Sequence, residues 1–244
     1  MEFVRNGTFS TGSPRECLAI WLQSLAILTI FIGISFHVGA KDTPFVALAS
    51  AVSHERIMVF GDSLSAAYGI SPAEGWVALL EEKLKLRGIT VVNASISGET
   101  SGGGLSRIRT DLSRQKPTIV LVALGANDGL RGLPVAEMRR NLDGIIKAIR
   151  AANARAVLIG IQIPPNFGIE YSANFRDTYA ALAKQYQLAL VPFLLDGVAE
   201  KLELFQPDRL HPVAAAQPAI LNNVMPAVEQ TLNRKQTTNR KVKK

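Results

Sequence analysis

Cysteine and histidine are both scarce in this chain. Among 244 residues there is one cysteine, Cys17, and three histidines, His37, His54 and His211. So small a supply of thiol and imidazole does not furnish a structural zinc site, and neither a metal nor any other cofactor is expected. Cys17 precedes a long apolar run instead of following it, which does not match a lipid-attachment site. If that run is removed no cysteine is left, which excludes a disulfide and a catalytic thiol. Two short motifs are missing as well. No serine stands in Gly-x-Ser-x-Gly, which disfavours the usual nucleophile elbow. The stretch SGETSGGG at 97–104 lacks the Gly-Lys-Ser/Thr ending of a phosphate loop. Acidic residues are outnumbered, 20 against 27 Lys and Arg, for a net charge of +7. Six of the positive charges, Arg234, Lys235, Arg240, Lys241, Lys243 and Lys244, lie in the last eleven residues, and the remainder is nearly neutral. No aromatic residue interleaves with that basic run, so base stacking has no support and no nucleic-acid partner is expected. The run reads as a solvated tail with weak attraction to acidic surfaces.

What is present begins with hydrophobicity. Apolar residues make up 48% of the chain and charged residues 19%, ordinary proportions for a globular core. From Leu18 to Ala40 there is no Asp, Glu, Lys or Arg, and Arg5 and Arg15 precede the run. Small residues near Val38 and Ala40 offer a cleavage site before Lys41. This reads as an export signal. Its 23 residues are also long enough to span a bilayer. A cleaved signal, and with it a periplasmic or secreted protein, is favoured over an uncleaved membrane anchor. No polar face recurs at helical spacing in the run, which argues against a buried soluble helix.

Beyond it the pattern alternates. Five short apolar runs read as strands: Ile57–Phe60, Thr90–Asn93, Ile119–Leu124, Ala156–Ile161 and Leu188–Val191. Helical stripes fall between them: Trp76, Leu79, Leu80 and Leu84; Leu105, Ile108 and Leu112; Met138, Leu142, Ile145, Ile146 and Ile149; Phe175, Tyr179, Leu182 and Tyr186. A last helical stretch runs from Val213 to Leu232, with Pro218 and Pro226 expected to break or kink it. Continuous apolar strands alternating with amphipathic helices predict an α/β fold in three layers, a five-stranded parallel sheet covered on both faces. The organisation expected is a signal or anchor over 1–40, a linker over 41–55, one domain over 56–231 and a basic tail over 232–244.

In such folds ligands bind at the carboxyl ends of the strands. The first strand ends in Gly61-Asp62-Ser63, the second in NASISGETSGGG at 93–104, the third in GAND at 125–128, and the fourth in IQIPPNFG at 161–168. These segments must therefore share one edge. Gly61 permits a tight turn, and Ser63 then sits near a helix start with its hydroxyl outward. Asp62 and Ser63 serve equally well as plain helix caps. A serine nucleophile needs a base within hydrogen-bond reach. His37 lies in the export segment, and His54 precedes the first strand, at the opposite edge. His211 remains, with Asp208 three residues earlier, close enough to orient the imidazole and fix its tautomer. A surface Asp–His pair in a loop is the alternative. Acyl transfer also needs donors for a developing oxyanion, and the Ser63 and Gly98 backbone N–H groups and the Asn127 amide lie on the expected edge. Ile163, Pro164, Pro165, Phe167 and Ile169 read as a groove for an acyl chain or, equally, as core packing.

GDSLS at 61–65, Gly98, GAND at 125–128 and DRLH at 208–211 resemble, in order and spacing, the four blocks of the SGNH or GDSL hydrolases. The likeness spans Ile57 to about Val228. NASISGETS and LGANDGLRGLP are similar, more narrowly, to a bacterial group of multifunctional acyl-CoA thioesterases, lysophospholipases and arylesterases. The resemblance implies a flavodoxin-like fold and cleavage of small-molecule esters or thioesters. It implies Ser63 as nucleophile, His211 as base, Asp208 as orienter, and Ser63, Gly98 and Asn127 as oxyanion donors. Ala126 departs from the glycine that close relatives carry before the Asn. A carbohydrate acetylesterase on the same fold and a non-catalytic exported lipid- or glycan-binding protein are the rival readings.

Overall fold

The computed structural model describes residues 55–234. The apolar run at 18–40 and the basic residues after Arg234 lie outside the described residues. The apolar runs form five strands: β1 Arg56–Gly61, β2 Thr90–Asn93, β3 Ile119–Ala123, β4 Arg155–Ile159 and β5 Ala189–Val191. All neighbouring strands pair in parallel, in the order β2-β1-β3-β4-β5. Ile57 stands opposite Ile119, and Gly61 opposite Ala123. β1 and β3 are buried along nearly their whole length, the pattern of a sheet covered on both faces.

The longer helices are α1 Trp76–Lys85, α2 Ser101–Gln115, α4 Val135–Ala151, α5 Ile169–Tyr186 and α6 Gln217–Asn233, with a single short turn, α3 Ala126–Leu130, after β3. α1 and α6 pack together on one face, and α2, α4 and α5 on the other. Their stripes explain this. Met138, Leu142, Ile145, Ile146 and Ile149 of α4 are all buried, as are Trp76, Leu80 and Leu84 of α1. The three-layer parallel architecture is the one the alternating pattern predicts.

Three details differ. No α-helix follows Ser63. Residues 63–69 form a tight coil closed by Ala66 N–H on the Asp62 carbonyl (3.0 Å) and Tyr68 N–H on the Ser63 carbonyl (3.3 Å). Ala67 and Gly69 adopt positive φ there, +59° and +74°, so a helix cannot propagate. α3 is too short to show a hydrophobic period. The last helix begins at Gln217, not Val213, after a 3-10 turn at Ala214–Ala216. Pro218 stands in its first turn, where a missing N–H costs nothing, and the helix continues through Pro226.

Candidate active site

Strand order reverses between β1 and β3, and the carboxyl ends of those two strands open a crevice there. Ser63 lies just beyond β1. Its coil is held by Asn93 Nδ2, donating to the Ser65 carbonyl from the end of β2 (2.8 Å), and by Trp76 Nε1, donating to the Leu64 carbonyl (3.1 Å). Ser63 Oγ is 2.8 Å from His211 Nε2, across 148 residues of chain. His211 Nδ1 is 2.6 Å from Asp208 Oδ2. The other carboxylate oxygen, Oδ1, accepts the backbone N–H groups of Leu210 (2.9 Å) and His211 (3.0 Å). The hydrogen bond from His211, and then these two, hold the Asp208 carboxyl down at about 2. An ionised carboxylate only accepts, so the imidazole proton sits on Nδ1. Nε2 is left as acceptor for the serine hydroxyl.

The segment that carries His211 is a closed loop. Phe205 and Pro212 form an antiparallel bridge, and Gln206 N–H donates to the His211 carbonyl at 2.8 Å. Arg209 turns the loop at φ +57°.

Three residues that carry N–H donors, Ser63, Gly98 and Asn127, border the same space. Among the described residues no hydrogen bond engages the backbone N–H of Ser63 or Gly98. Gly98 sits at φ +80°, and its carbonyl accepts from Arg131 Nη2 at 3.0 Å. Asn127 donates one amide hydrogen to the Glu99 carbonyl (3.0 Å), which leaves the second free. Ala126 and Asn127, the first residues of α3, both border the crevice. Asp128, next along α3 and buried, accepts both the N–H (2.8 Å) and the hydroxyl (2.5 Å) of Ser101 at the start of α2. Beneath the nucleophile Asp62 is also buried. Desolvation pushes its carboxyl up to about 7 against the pull of the Leu64 N–H, with Asp128 and Glu99 adding to the rise.

The crevice encloses about 520 Å³. Ser63, Gly98, Asn127 and His211 all border it, and Ile163 and Pro164 form part of its wall. Phe167 and Ile169 do not: the turn after Pro164 carries both to the surface, where Ile169 is 85% exposed. The side chain of Pro165 lies outside the described ones. Most of the apolar wall comes from elsewhere, from Leu130 after β3, Phe193 and Leu195 after β5, and Phe205 and Leu210 in the histidine loop. The carboxyl-end rule finds Phe193 and Leu195 if it is extended to the fifth strand. No sequence signal marks Leu210. Among the described residues no cluster of His, Cys, Asp and Glu could hold a metal ion.

Comparison with known proteins gives a consistent set of relatives. The model of the GDSL-like lipase/acylhydrolase family matches residues 59–218. Esterase TesA of Pseudomonas aeruginosa is 45% identical over 189 residues, 77% of this chain and 94% of that protein. Thioesterase 1/protease 1/lysophospholipase L1 of Escherichia coli is 39% identical over 183 residues, 75% of this chain and 88% of its own length. Among solved structures, the psychrotrophic esterase EstA from Pseudoalteromonas sp., inhibited by monoethylphosphonate, superposes with a TM-score of 0.71 at 44% identity, covering 74% of this chain and all of that one.

Proposed function

The chain belongs to the GDSL-like lipase/acylhydrolase family, and from that premise we propose that it is an exported serine hydrolase of carboxylic esters and thioesters, with Ser63 as its nucleophile. One observation carries the reading: Ser63 Oγ, His211 and Asp208 stand in a hydrogen-bonded line that opens into an apolar crevice beside unengaged N–H donors. His211 Nε2 takes the Ser63 proton as Oγ attacks the acyl carbon, and ionised Asp208 stabilises the imidazolium. The tetrahedral oxyanion accepts from the Ser63 and Gly98 N–H groups and from the second hydrogen of Asn127. Collapse expels the alcohol or thiol, which takes its proton from His211 and leaves the imidazole neutral again. Water then attacks the acyl-enzyme by the same route, giving its proton to His211, and Ser63 is regenerated.

The apolar wall favours acyl chains over the polar rings that an acetylated sugar would present. The names of the relatives support both oxygen and sulfur leaving groups. The run at 18–40 supports export. Ser63→Ala is expected to abolish p-nitrophenyl ester hydrolysis and fluorophosphonate labelling while leaving thermal melting unchanged. Turnover retained in a folded Ser63→Ala protein removes Ser63 from the mechanism, and a wild type inert to every ester and to the fluorophosphonate leaves only a binding role. A panel of p-nitrophenyl esters from two to sixteen carbons, run beside acyl-CoA and acetylated sugars, separates the esterase, thioesterase and acetylesterase readings.

A further inference from the structure

The nucleophile and the base sit on two separate surface loops, 63–70 and 205–212, and the contact between their reacting atoms is one hydrogen bond. A second hydrogen bond joins the same loops away from the reacting atoms, and bonds within each loop tie it to Ser63 and His211. Tyr68 N–H donates to the carbonyl of Ser63 itself, at 3.3 Å. The Tyr68 carbonyl accepts from Gln206 Nε2 at 2.8 Å. Gln206 N–H donates to the carbonyl of His211, at 2.8 Å, and its Nε2 also reaches the Pro212 carbonyl at 3.2 Å. The path Ser63, Tyr68, Gln206, His211 and back to Ser63 is thus a closed ring of hydrogen bonds. Gly69 makes room for it. A Cβ at that position would fall 2.0 Å from Gln206 Oε1, and the backbone there has φ +74°. The Tyr68 ring completes the contact by packing on the imidazole, with centroids 4.5 Å apart and planes inclined at 39°.

We propose that Gln206 and Tyr68 are positioning residues that hold nucleophile and base in register, an inference that rests on the hydrolase reading of this site. The Gln206 amide spends both N–H bonds on carbonyls of different loops, so it fixes the separation of those loops. The Tyr68 ring restricts the tilt of the imidazole and presents a π face when that ring becomes a cation during acyl transfer. Gln206 does not line the crevice, so its contribution falls on the chemical step and not on substrate binding; Tyr68 borders the crevice as well as the imidazole, so kcat is the quantity that reports its positioning role.

The test uses the full chain, p-nitrophenyl butyrate and a fluorophosphonate. Gln206→Met keeps the volume and removes both side-chain bonds. It is expected to lower kcat and the phosphonylation rate about tenfold to a hundredfold, the scale of an ångström-size misplacement, with KM nearly unchanged. Tyr68→Leu is expected to lower kcat in the same way, and Tyr68→Phe, which keeps the ring, to restore most of the loss. A cooperatively melting Gln206→Met protein with wild-type kcat, or one altered in KM alone, overturns the proposal. So does a Tyr68→Phe variant that falls as far as Tyr68→Leu. If Gln206→Met does not melt cooperatively, the Tyr68 pair decides. A wild type that neither turns over ester nor takes the label refutes the hydrolase reading instead.

Discussion

Asp62 is a carboxyl with almost no water around it, one residue before the nucleophile. Its Oδ1 accepts the Leu64 N–H at 3.0 Å, and apolar side chains such as Leu124, Ile159 and Ile161 lie close by. Burial raises its proton affinity, the carboxylates of Asp128 and Glu99 raise it further, and Tyr179, whose phenol is itself pushed up by burial, adds no positive charge. The folded protein therefore holds a proton between pH 3.8 and about 7 that the unfolded chain has released. The unfolded state binds fewer protons in that window, so stability is full below it and declines as pH rises through it. Asn at this position keeps the acceptor and loses the titration. The urea midpoint of the wild type is expected to be lower at pH 8 than at pH 5, and that of Asp62→Asn to change less. Asp208, held at about 2, has finished titrating below this range. Equal pH dependence in the two proteins would show that the Asp62 carboxyl is ionised throughout.

At the scale of elements, α3 and its flank do more than their length implies. Asn127 reaches the Glu99 carbonyl, Asp128 binds Ser101, and Arg131, the residue that ends the helix, reaches the Gly98 carbonyl. One helical turn therefore holds the loop that presents the Gly98 N–H. Asp128→Ala leaves the N–H and hydroxyl of fully buried Ser101 without that acceptor, at a cost of about 1–3 kcal/mol. For a domain of this size that lowers Tm by roughly 2–4 °C per kcal/mol. kcat is expected to fall as well, because the loop loosens, and Asp128→Asn should recover part of both. An unchanged Tm in Asp128→Ala would remove the link between α3 and α2 as a support. The same elements mark how far the sequence is legible. Strand and helix periods expose the sheet and its five long helices, because burial on one or both faces leaves a repeating trace. The coil at 63–69 leaves none, because Ala67 carries its positive φ without any residue preference to announce it. For the site, scarcity of histidine and the carboxyl-end rule single out His211 and Ser63. The stacking of Tyr68 and the reach of Gln206 depend on how two loops 138 residues apart meet, and no local pattern encodes that. Phe167 reads as a wall residue from its apolar neighbours, yet Gly168, at φ +104°, ends the turn that takes it outside the crevice.

Across the whole molecule, parallel strands give the sheet two unlike edges. The carboxyl edge holds the crevice, and the amino edge holds a tie among distant parts of the chain. Arg155, the first residue of β4, donates to the carbonyls of Thr231 (2.5 Å) and Arg234 (3.1 Å) at the end of α6, and pairs with Glu55 beside the start of β1. A guanidinium at a helix carboxyl end satisfies carbonyls that have no partner within the helix and opposes the negative end of the helix dipole. Charged hydrogen bonds of this kind are worth about 1.5–3 kcal/mol each before solvent screening, and Arg155 is partly exposed, so the loss on Arg155→Met is expected to be about 1–3 kcal/mol. None of these contacts reaches the crevice, because a strand length separates the two edges. Arg155→Met should therefore lower Tm while leaving kcat and KM within about twofold of wild type at temperatures where it stays folded, since distant, unshared sites act additively. Gln206→Met should do the reverse. A kcat that falls with Arg155→Met well below its melting temperature would mean that the sheet transmits strain from one edge to the other, and that stability and catalysis are not separable in this fold.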